Sequence, residues 1–515
     1  MKSAVIVDGY VDEPAVLGVP PYISTYARYI AGTLFIKGFD VDYTTIDEVR
    51  KKELWAFFNK YDVLVILSGV TVPGKYVGGI PINEKEIKRI FDLNKRPFRI
   101  LTGASVKLIK DSGADDVAED FILYAFEKKN YEIIRKVAIE GAKIVRKHPR
   151  FPDVICEIEI SLGCERKTYC TFCSEPILHP GFVSRPVEDI IDEVSELYQN
   201  GIKAFRLGRS ANILAYGYEK NNGMINIELL KELYEGIREV APNLEVLHTD
   251  NANPAFISQN YPQSARALEI IVQNNTEGDI LSFGVESFDE TVRRKNNIQG
   301  DIKDIDFAIE LVNEIGGVRI NGVPKLLPGL NFIFGLPGET KKTYELLYLK
   351  LKEYLDKNLL LRRINLRQIM IVPDTPLWYY SKHHKVKVNH KLFKHYKYLI
   401  RNEIDSEMIK RVFPKGTIIR NVIYEFSEGN IKFGRPLGTY PILIGVLGRF
   451  DRKSDIMIYD HGIRSVSGIV LDLRIGELSE NELAKLPGIG KKKAREIKEK
   501  FSVFFVRDLI LGGLY

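Results

Sequence analysis

The sequence predicts an α/β protein: a doubly wound sheet, then a parallel barrel, then a small β-barrel and a helical tail. Three observations carry that reading. Short apolar strand-like runs alternate with amphipathic helices over residues 1–150. The alternation restarts near residue 151 and repeats about six times before residue 400. Over residues 412–472 the pattern changes to short strands split by glycine turns, and residues 476–515 are helical.

In the first region "SAVIVDG", "DVDYTTI", "DVLVILSG" and "FRILTG" read as strands, and "ISTYARYIAGTLFIKG" and "NEKEIKRIFDL" as helices. Such alternation implies a parallel sheet with helices on both faces, a Rossmann-like domain. The loop "SGVTVPGKYVGGIP" follows the third strand at its carboxyl end, where such sheets bind ligands. Its Gly74, Gly78 and Gly79 either admit a ligand or turn the chain, and it lacks the G-x-G-x-x-G of a dinucleotide site. In residues 151–400 the strands are "VICEIEISLG", "AFRLG", "LEVLHTD", "ILSFGVES", "GLNFIFGLPGE" and "RRINLRQIMIVP". The intervening helices, such as "PVEDIIDEVSELYQNG", end near a glycine. This predicts a partial (β/α)6 barrel, with its chemistry at the carboxyl ends of the strands. Residues 412–472 predict a small antiparallel β-barrel.

Composition bounds the class. A chain of 515 residues exceeds one ordinary core. Its richness in Lys, Glu and Ile suits a heat-adapted protein. No apolar run reaches the roughly 20 residues of a membrane span, and the start lacks signal-peptide anatomy, so a cytoplasmic protein without membrane partners is expected. Four cysteines argue against a disulfide scaffold. The net charge is +6, yet residues 485–500 alone carry seven basic and two acidic side chains. Such a run is either a solvated face or a binding surface.

Three of the four cysteines, Cys164, Cys170 and Cys173, fall in "SLGCERKTYCTFCSEP", just after the first barrel strand. With His179 they could form a closed structural zinc site. Three thiolates at the active end of a barrel also suit an iron–sulfur cluster with one iron left open. Cys156, on the strand itself, reads as a buried small hydrophobe.

The stretch "GCERKTYCTFCSEP" resembles the cluster loop of the radical SAM superfamily, whose usual pattern is Cys-x3-Cys-x2-Cys. Here the first gap is five residues. "SFGVESFDETVRRKNN" (282–297) and "LNFIFGLPGET" (330–340) resemble later strand motifs of radical SAM methylthiotransferases, coproporphyrinogen oxidases and Elongator-type enzymes. The resemblance implies a 4Fe-4S cluster on Cys164, Cys170 and Cys173, S-adenosylmethionine (SAM) chelated to the open iron, and an electron donor such as ferredoxin or flavodoxin. One electron then cleaves SAM, and the 5′-deoxyadenosyl radical takes a hydrogen atom from the substrate. Phe172 matches the aromatic position near the SAM adenine. "FRLGRSANIL" stands where the family has a Gly-Gly-Glu-like element, with Gly208 retained. The resemblance implies a SAM-carboxylate role for Arg206 or Arg209, a ribose or substrate contact at Asp250 or Asn251, and SAM contacts at Glu286 and Ser287.

The first domain is similar to the cobalamin-binding module of many radical SAM enzymes, which makes cobalamin a candidate cofactor and methylation a candidate reaction. Residues 1–147 contain no histidine, so the Asp-x-His-x-x-Gly motif is absent. They also lack the three further cysteines of methylthiotransferases, which argues against sulfur insertion. Residues 412–472 resemble a TRAM- or OB-type barrel. "LSENELAKLPGIGKKKAREIKEKF" resembles a helix-hairpin-helix motif, in which Gly488 and Gly490 free backbone N–H groups for a phosphate and Lys491, Lys492, Lys493 and Arg495 surround it. The expected substrate is RNA, tRNA above all. The alternatives are a small-molecule or lipid-modifying radical enzyme with a protein-docking tail, and a non-enzymatic RNA-binding protein with a structural zinc site.

Overall fold

Burial of the apolar runs near the amino terminus builds a five-stranded parallel sheet in the order Phe39–Thr45, Lys2–Asp8, Val63–Leu67, Phe98–Thr102, Asp116–Ala118. Numbered along the chain this is the order 2-1-3-4-5, doubly wound, with its switch point between the first and third strands. The computed structural model describes residues 2–13, 16–69, 78–447, 453–486 and 488–512. Gly74 of the loop after the third strand therefore lies outside the described residues. Gly78 is explained by packing, since a Cβ there would stand 1.5 Å from the Pro20 carbonyl oxygen.

Contacts divide the chain into two compact units, Met1–Glu165 with Gly181–Asp250, and Arg166–Pro180 with Asn251–Tyr515. All six strands expected over residues 151–400 form, as parallel strands in two sheets. In the first unit Ile155–Glu159, Ala204–Gly208 and Val246–His248 pair side by side. A fourth strand, Tyr22–Ile23, joins their edge by pairing with Ile155 and Cys156. Residues expected to belong to a separate first domain thus complete the second sheet. The helix Thr25–Ile36, capped by Ser24, starts directly after that strand.

In the second unit Asp279–Glu286, Leu326–Phe334 and Ile364–Gln368 pair in parallel, with Asn251–Ala252 at the edge. Asp301 and Asp304 form a capping box at the start of the helix Ile302–Gly316. Strands Ile418–Glu428, Ile431–Arg435, Leu443–Leu447, Ser465–Val470 and Ser454–His461, in that order, close into a five-stranded barrel. One of its pairings, Leu443–Leu447 with Ser465–Val470, is parallel, where the sequence pattern predicts antiparallel pairing throughout. The barrel and the carboxyl-terminal helices share one core: Met457, Tyr459 and Ile469 pack with Leu483, Ile489, Ile497 and Val506.

Candidate active site: a three-cysteine loop and a strained glutamate

The strand Ile155–Glu159 alternates, placing Cys156 and Ile158 on one face and Glu157 and Glu159 on the other. Cys156 is fully buried, and burial pushes its thiol up to about 12. It is inert packing, as the sequence implied. Two glutamates inside a sheet need partners. Arg206, one strand over, bridges Glu157 and Asp250 by two ion pairs, all three side chains being at most 1% exposed. Arg209, at φ +56°, pairs with Glu159 at 3.5 Å and lies over the Tyr26 ring. Arg28 and Arg185 both bond Glu193. Four arginines thus balance four carboxylates inside the first unit. Burial works to raise the Glu193 carboxyl, but Arg28 and Arg185 outweigh it and hold the group below its usual range.

Gly208 has a local reason: a Cβ there would stand 1.9 Å from Glu157 Oε1. Arg206 and Asp250, expected at a ligand-facing rim, are instead joined within the sheet, and Asp250 also accepts from the Ser210 amide at 3.3 Å. Two carboxylate oxygens on this face, Glu157 Oε2 and Glu159 Oε1, are sealed from solvent and lack a hydrogen-bond partner.

The loop after this strand carries the thiols. In the first unit the Cys164 amide donates to the Gly181 carbonyl at 3.1 Å, and its Sγ lies 3.6 Å from Glu165 Oε2. In the second unit the Cys173 amide donates to the Cys170 carbonyl at 3.2 Å, a turn that sets these two cysteines together. The loop is tied down by Thr171, whose amide donates to the Asn296 carbonyl at 3.1 Å and whose carbonyl accepts from Leu377 at 2.8 Å. Phe172, expected beside an adenine, packs against the apolar cluster of Val292, Ile298, Leu336 and Leu377, where it anchors the loop. Cys164, Cys170 and Cys173 are all half-buried, in contrast to Cys156. Arg166 donates to Cys170 Sγ at 3.1 Å. Burial nevertheless raises the Cys170 thiol, and pushes Cys173 up to about 12.

Glu286 ends its strand at φ +61°, a left-handed conformation costly for a residue with a Cβ. The register with the next strand slips between Gly284 and Glu286, a bulge that re-aims the side chain. Burial pushes its carboxyl up to about 7, against the pull of Arg166, Arg367 and Arg293. Its Oε2 is sealed from solvent and has no partner. Its charge also acts on the Cys170 thiol, so the glutamate and the loop share one electrostatic environment. Ser287 is buried, and its hydroxyl accepts from the Asp289 amide at 3.1 Å. Asn251 sits half-buried in its edge strand, in register with Ser282.

Arg293 is a positioning residue that the sequence did not single out. It donates to the carbonyls of Val285 at 2.7 Å and Ser287 at 3.0 Å, clamping the bulge around Glu286. Three consecutive basic residues in "TVRRKNN" hid it, since nothing in the spacing distinguishes the buried one.

The donor set fits a cluster with an open iron. Three half-buried thiols stand in ten residues; burial favours the protonated form of Cys170 and Cys173, and ligation favours the thiolate. Among the described residues no group of three His, Cys, Asp or Glu is placed to hold a single metal ion. Glu286 Oε2 is buried without a partner, and a cation such as the ammonium of SAM would supply one and favour its ionised form.

Comparison with known proteins gives the family. The radical SAM superfamily profile matches residues 158–351. An uncharacterised protein of Archaeoglobus fulgidus is 39% identical over 512 residues, covering 96% of this chain and 94% of its own. Over 201 residues, 39% of this chain and 40% of the relative, the sequence is 26% identical to the ribosomal protein uS12 methylthiotransferase RimO of Bacteroides fragilis. Among solved structures, the cobalamin-dependent S-adenosylmethionine radical enzyme OxsB aligns with 77% of this chain and 56% of its own at 12% identity and a TM-score of 0.45. The chain belongs to the radical SAM superfamily, and with that membership come a 4Fe-4S cluster and S-adenosylmethionine.

Proposed function

We propose that the protein is a radical SAM enzyme that modifies a structured RNA, tRNA above all, with Cys164, Cys170 and Cys173 as its cluster ligands. When bound, the cluster and SAM supply a one-electron cleavage of SAM and a carbon radical that abstracts hydrogen from the substrate. This chain's own residues ligate, orient and exclude water. Glu286, held strained by the Arg293 clamp, receives the SAM ammonium. The Thr171 hydrogen bonds and Phe172 hold the loop carrying Cys170 and Cys173 against its own unit.

The observation that carries the RNA reading is the build of the carboxyl-terminal region. Gly488 adopts φ +74° with open space around it, and Gly490 caps the helix Lys491–Phe501. Lys491, Lys492 and Lys493 are exposed in that helix's first turn, where backbone N–H groups favour a phosphate. Arg495, expected beside them, instead faces Glu480 at 3.4 Å. On the attached barrel Phe426, 40% exposed, stacks on Phe433 at 5.0 Å, a platform of the kind that takes bases. Methylation with cobalamin in the first domain is the finer version of this reading. The switch point there is built tightly, with Asp8 bonded by the Tyr43 hydroxyl at 2.7 Å and the Tyr10 amide at 2.9 Å.

Filter binding of bulk tRNA across a salt series tests the reading. With about four phosphate contacts in this region, log K falls with log salt at a slope near −3 to −4. Replacing Lys491, Lys492 and Lys493 by Ala flattens it by about two to three units. An unchanged slope assigns the tail to a protein partner. Absence of tRNA binding at low salt leaves the small-molecule reading ahead.

A further inference from the structure

From Thr375 to Asn402 the chain carries seven Lys and Arg, four of its eight histidines, and no Asp or Glu. The bland account of a charge run is a solvated face neutralised by acids on neighbouring elements. That account fails for four of these cations. Lys385, Lys387, Lys391 and Lys394 are exposed and make no hydrogen bond or ion pair among the described residues. Arg401 is the exception, spent on Asp405.

The helix His390–Leu399, capped by the Asn389 side chain, explains how the cations are presented. It is anchored through Phe393, which packs edge-on against Phe334 at 5.2 Å, and Tyr396, 5.7 Å from Tyr344. Lys391, Lys394 and Tyr398 follow one another at helical spacing on the opposite side, and Tyr398 is 66% exposed. In the preceding segment Tyr379 and Tyr380 are 54% and 41% exposed. Tyr380 stacks on His384 at 4.1 Å, with the two planes within 7° of parallel. Lys382 sits 3.4 Å over the Trp378 ring.

Between this segment and the loop before the helix Lys341–Asp356 lies a cavity of about 240 Å³. Gly335, Gly338, Lys341, Tyr380, Lys385 and Lys387 line it. Glu339 also reaches it, but its two oxygens are taken by the Gly335 amide at 2.7 Å and the Tyr344 hydroxyl at 2.6 Å. Lys341 is paired with Glu345 at 3.1 Å, so Lys385 and Lys387 against the single Glu339 leave the lining with a cationic excess.

We infer that residues 375–402 and this cavity form a second RNA-binding surface, separate from the carboxyl-terminal helices. It grips phosphates with Lys385, Lys387, Lys391 and Lys394 and stacks unpaired bases on Tyr379, Tyr380 and Tyr398. Unpaired cations interleaved with exposed rings are what a single-stranded stretch of RNA needs, since charge tracks the backbone and rings accept any base. An acidic protein would use the cations but leave the rings in water. The inference rests on the RNA reading above and adds where the RNA lies.

The test uses the full chain and bulk tRNA, by filter binding from about 50 to about 400 mM salt. This surface adds about three units to the slope that the carboxyl-terminal region gives, so wild type falls at about −6 to −7, and the variant Lys385→Gln, Lys387→Gln, Lys391→Gln, Lys394→Gln returns it to about −3 to −4. Binding near 0.1 M salt weakens at least tenfold. The variant Tyr379→Leu, Tyr380→Leu, Tyr398→Leu weakens binding with the slope unchanged. If wild type binds tRNA and both variants match it, the inference is overturned while the RNA reading stands, and the face belongs to an acidic protein. If wild type does not bind at the lowest salt, the RNA reading itself fails. Photocrosslinking of 4-thiouridine-containing tRNA to wild type needs no folded variant. Crosslinked peptides within 375–402 support the surface, and crosslinks confined to other segments overturn it.

Discussion

Asp8 shows how one side chain sets a pH dependence. It ends the first strand, 1% exposed, and burial pushes its carboxyl up to about 6 although the Tyr43 hydroxyl and Tyr10 amide both donate to it. Between about pH 4 and pH 6 the folded chain keeps a proton that the unfolded chain has released. Stability from this group is therefore greatest below that window, falls as pH rises through it, and is level above. Asp8→Asn removes the effect, so the variant gains on wild type by on the order of 2–3 kcal/mol between pH 4 and pH 6. Chemical denaturation of both proteins across that range checks it, and a difference independent of pH contradicts it. The position of Asp8 at a strand end was legible in "SAVIVDG". Its burial was not, because no local pattern records that Tyr43 from the neighbouring strand covers it.

Single-residue environments were legible where a local pattern marks them: Cys156 is sealed, as its apolar strand implies, and Cys164, Cys170 and Cys173 stand half-buried in the loop after it. Roles that depend on long-range partners were not. Arg206 lies on a strand that reads as ligand-facing, and only the fold brings Glu157 and Asp250 to it.

Among the elements, the strand Ile155–Glu159 has the most consequence. Its alternation was visible, but the two glutamates on its second face require buried cations from distant segments. Arg206 and Arg209, after the strand, pair with the two carboxylates, while Arg28 and Arg185 donate to the main-chain carbonyls of Glu157 and Glu159. Glu193, fully buried, answers both Arg28 and Arg185. Removing one partner from such a network leaves uncompensated buried charge. Glu193→Gln is expected to destabilise the protein by about 3–5 kcal/mol. Denaturant unfolding measures it, and a loss under about 1 kcal/mol, the range of exposed pairs, would show the network to be solvated. The six parallel strands were recognisable because fully buried strands read as apolar runs. Tyr22–Ile23 was missed because two residues carry no periodicity. The parallel pair in the small barrel was missed because pairing direction is set by closure of the sheet, which no single strand records.

For the whole molecule, four successive domains were expected from composition shifts along the chain, at 1–150, 151–400, 412–472 and 476–515. Contacts divide the chain into two units, each drawing on more than one of these segments. Tyr22–Ile23 completes the sheet of Ile155–Glu159, and the carboxyl-terminal helices fill the end of the small barrel. Sequence patterns mark where elements change type, whereas units are decided by which apolar faces cover one another. The cysteine loop spans the boundary, its residues from Arg166 onward belonging with the second unit. A catalyst of this class needs that loop to hold three irons and leave the fourth for SAM. The most direct measurement is the iron and sulfide content of the chain after anaerobic reconstitution. The account predicts four irons and four sulfides per chain, kept in Cys156→Ala and lost in Cys170→Ala. A Cys170→Ala chain that retains the full cluster, or a wild-type chain that holds a single zinc and takes up no iron, would contradict it.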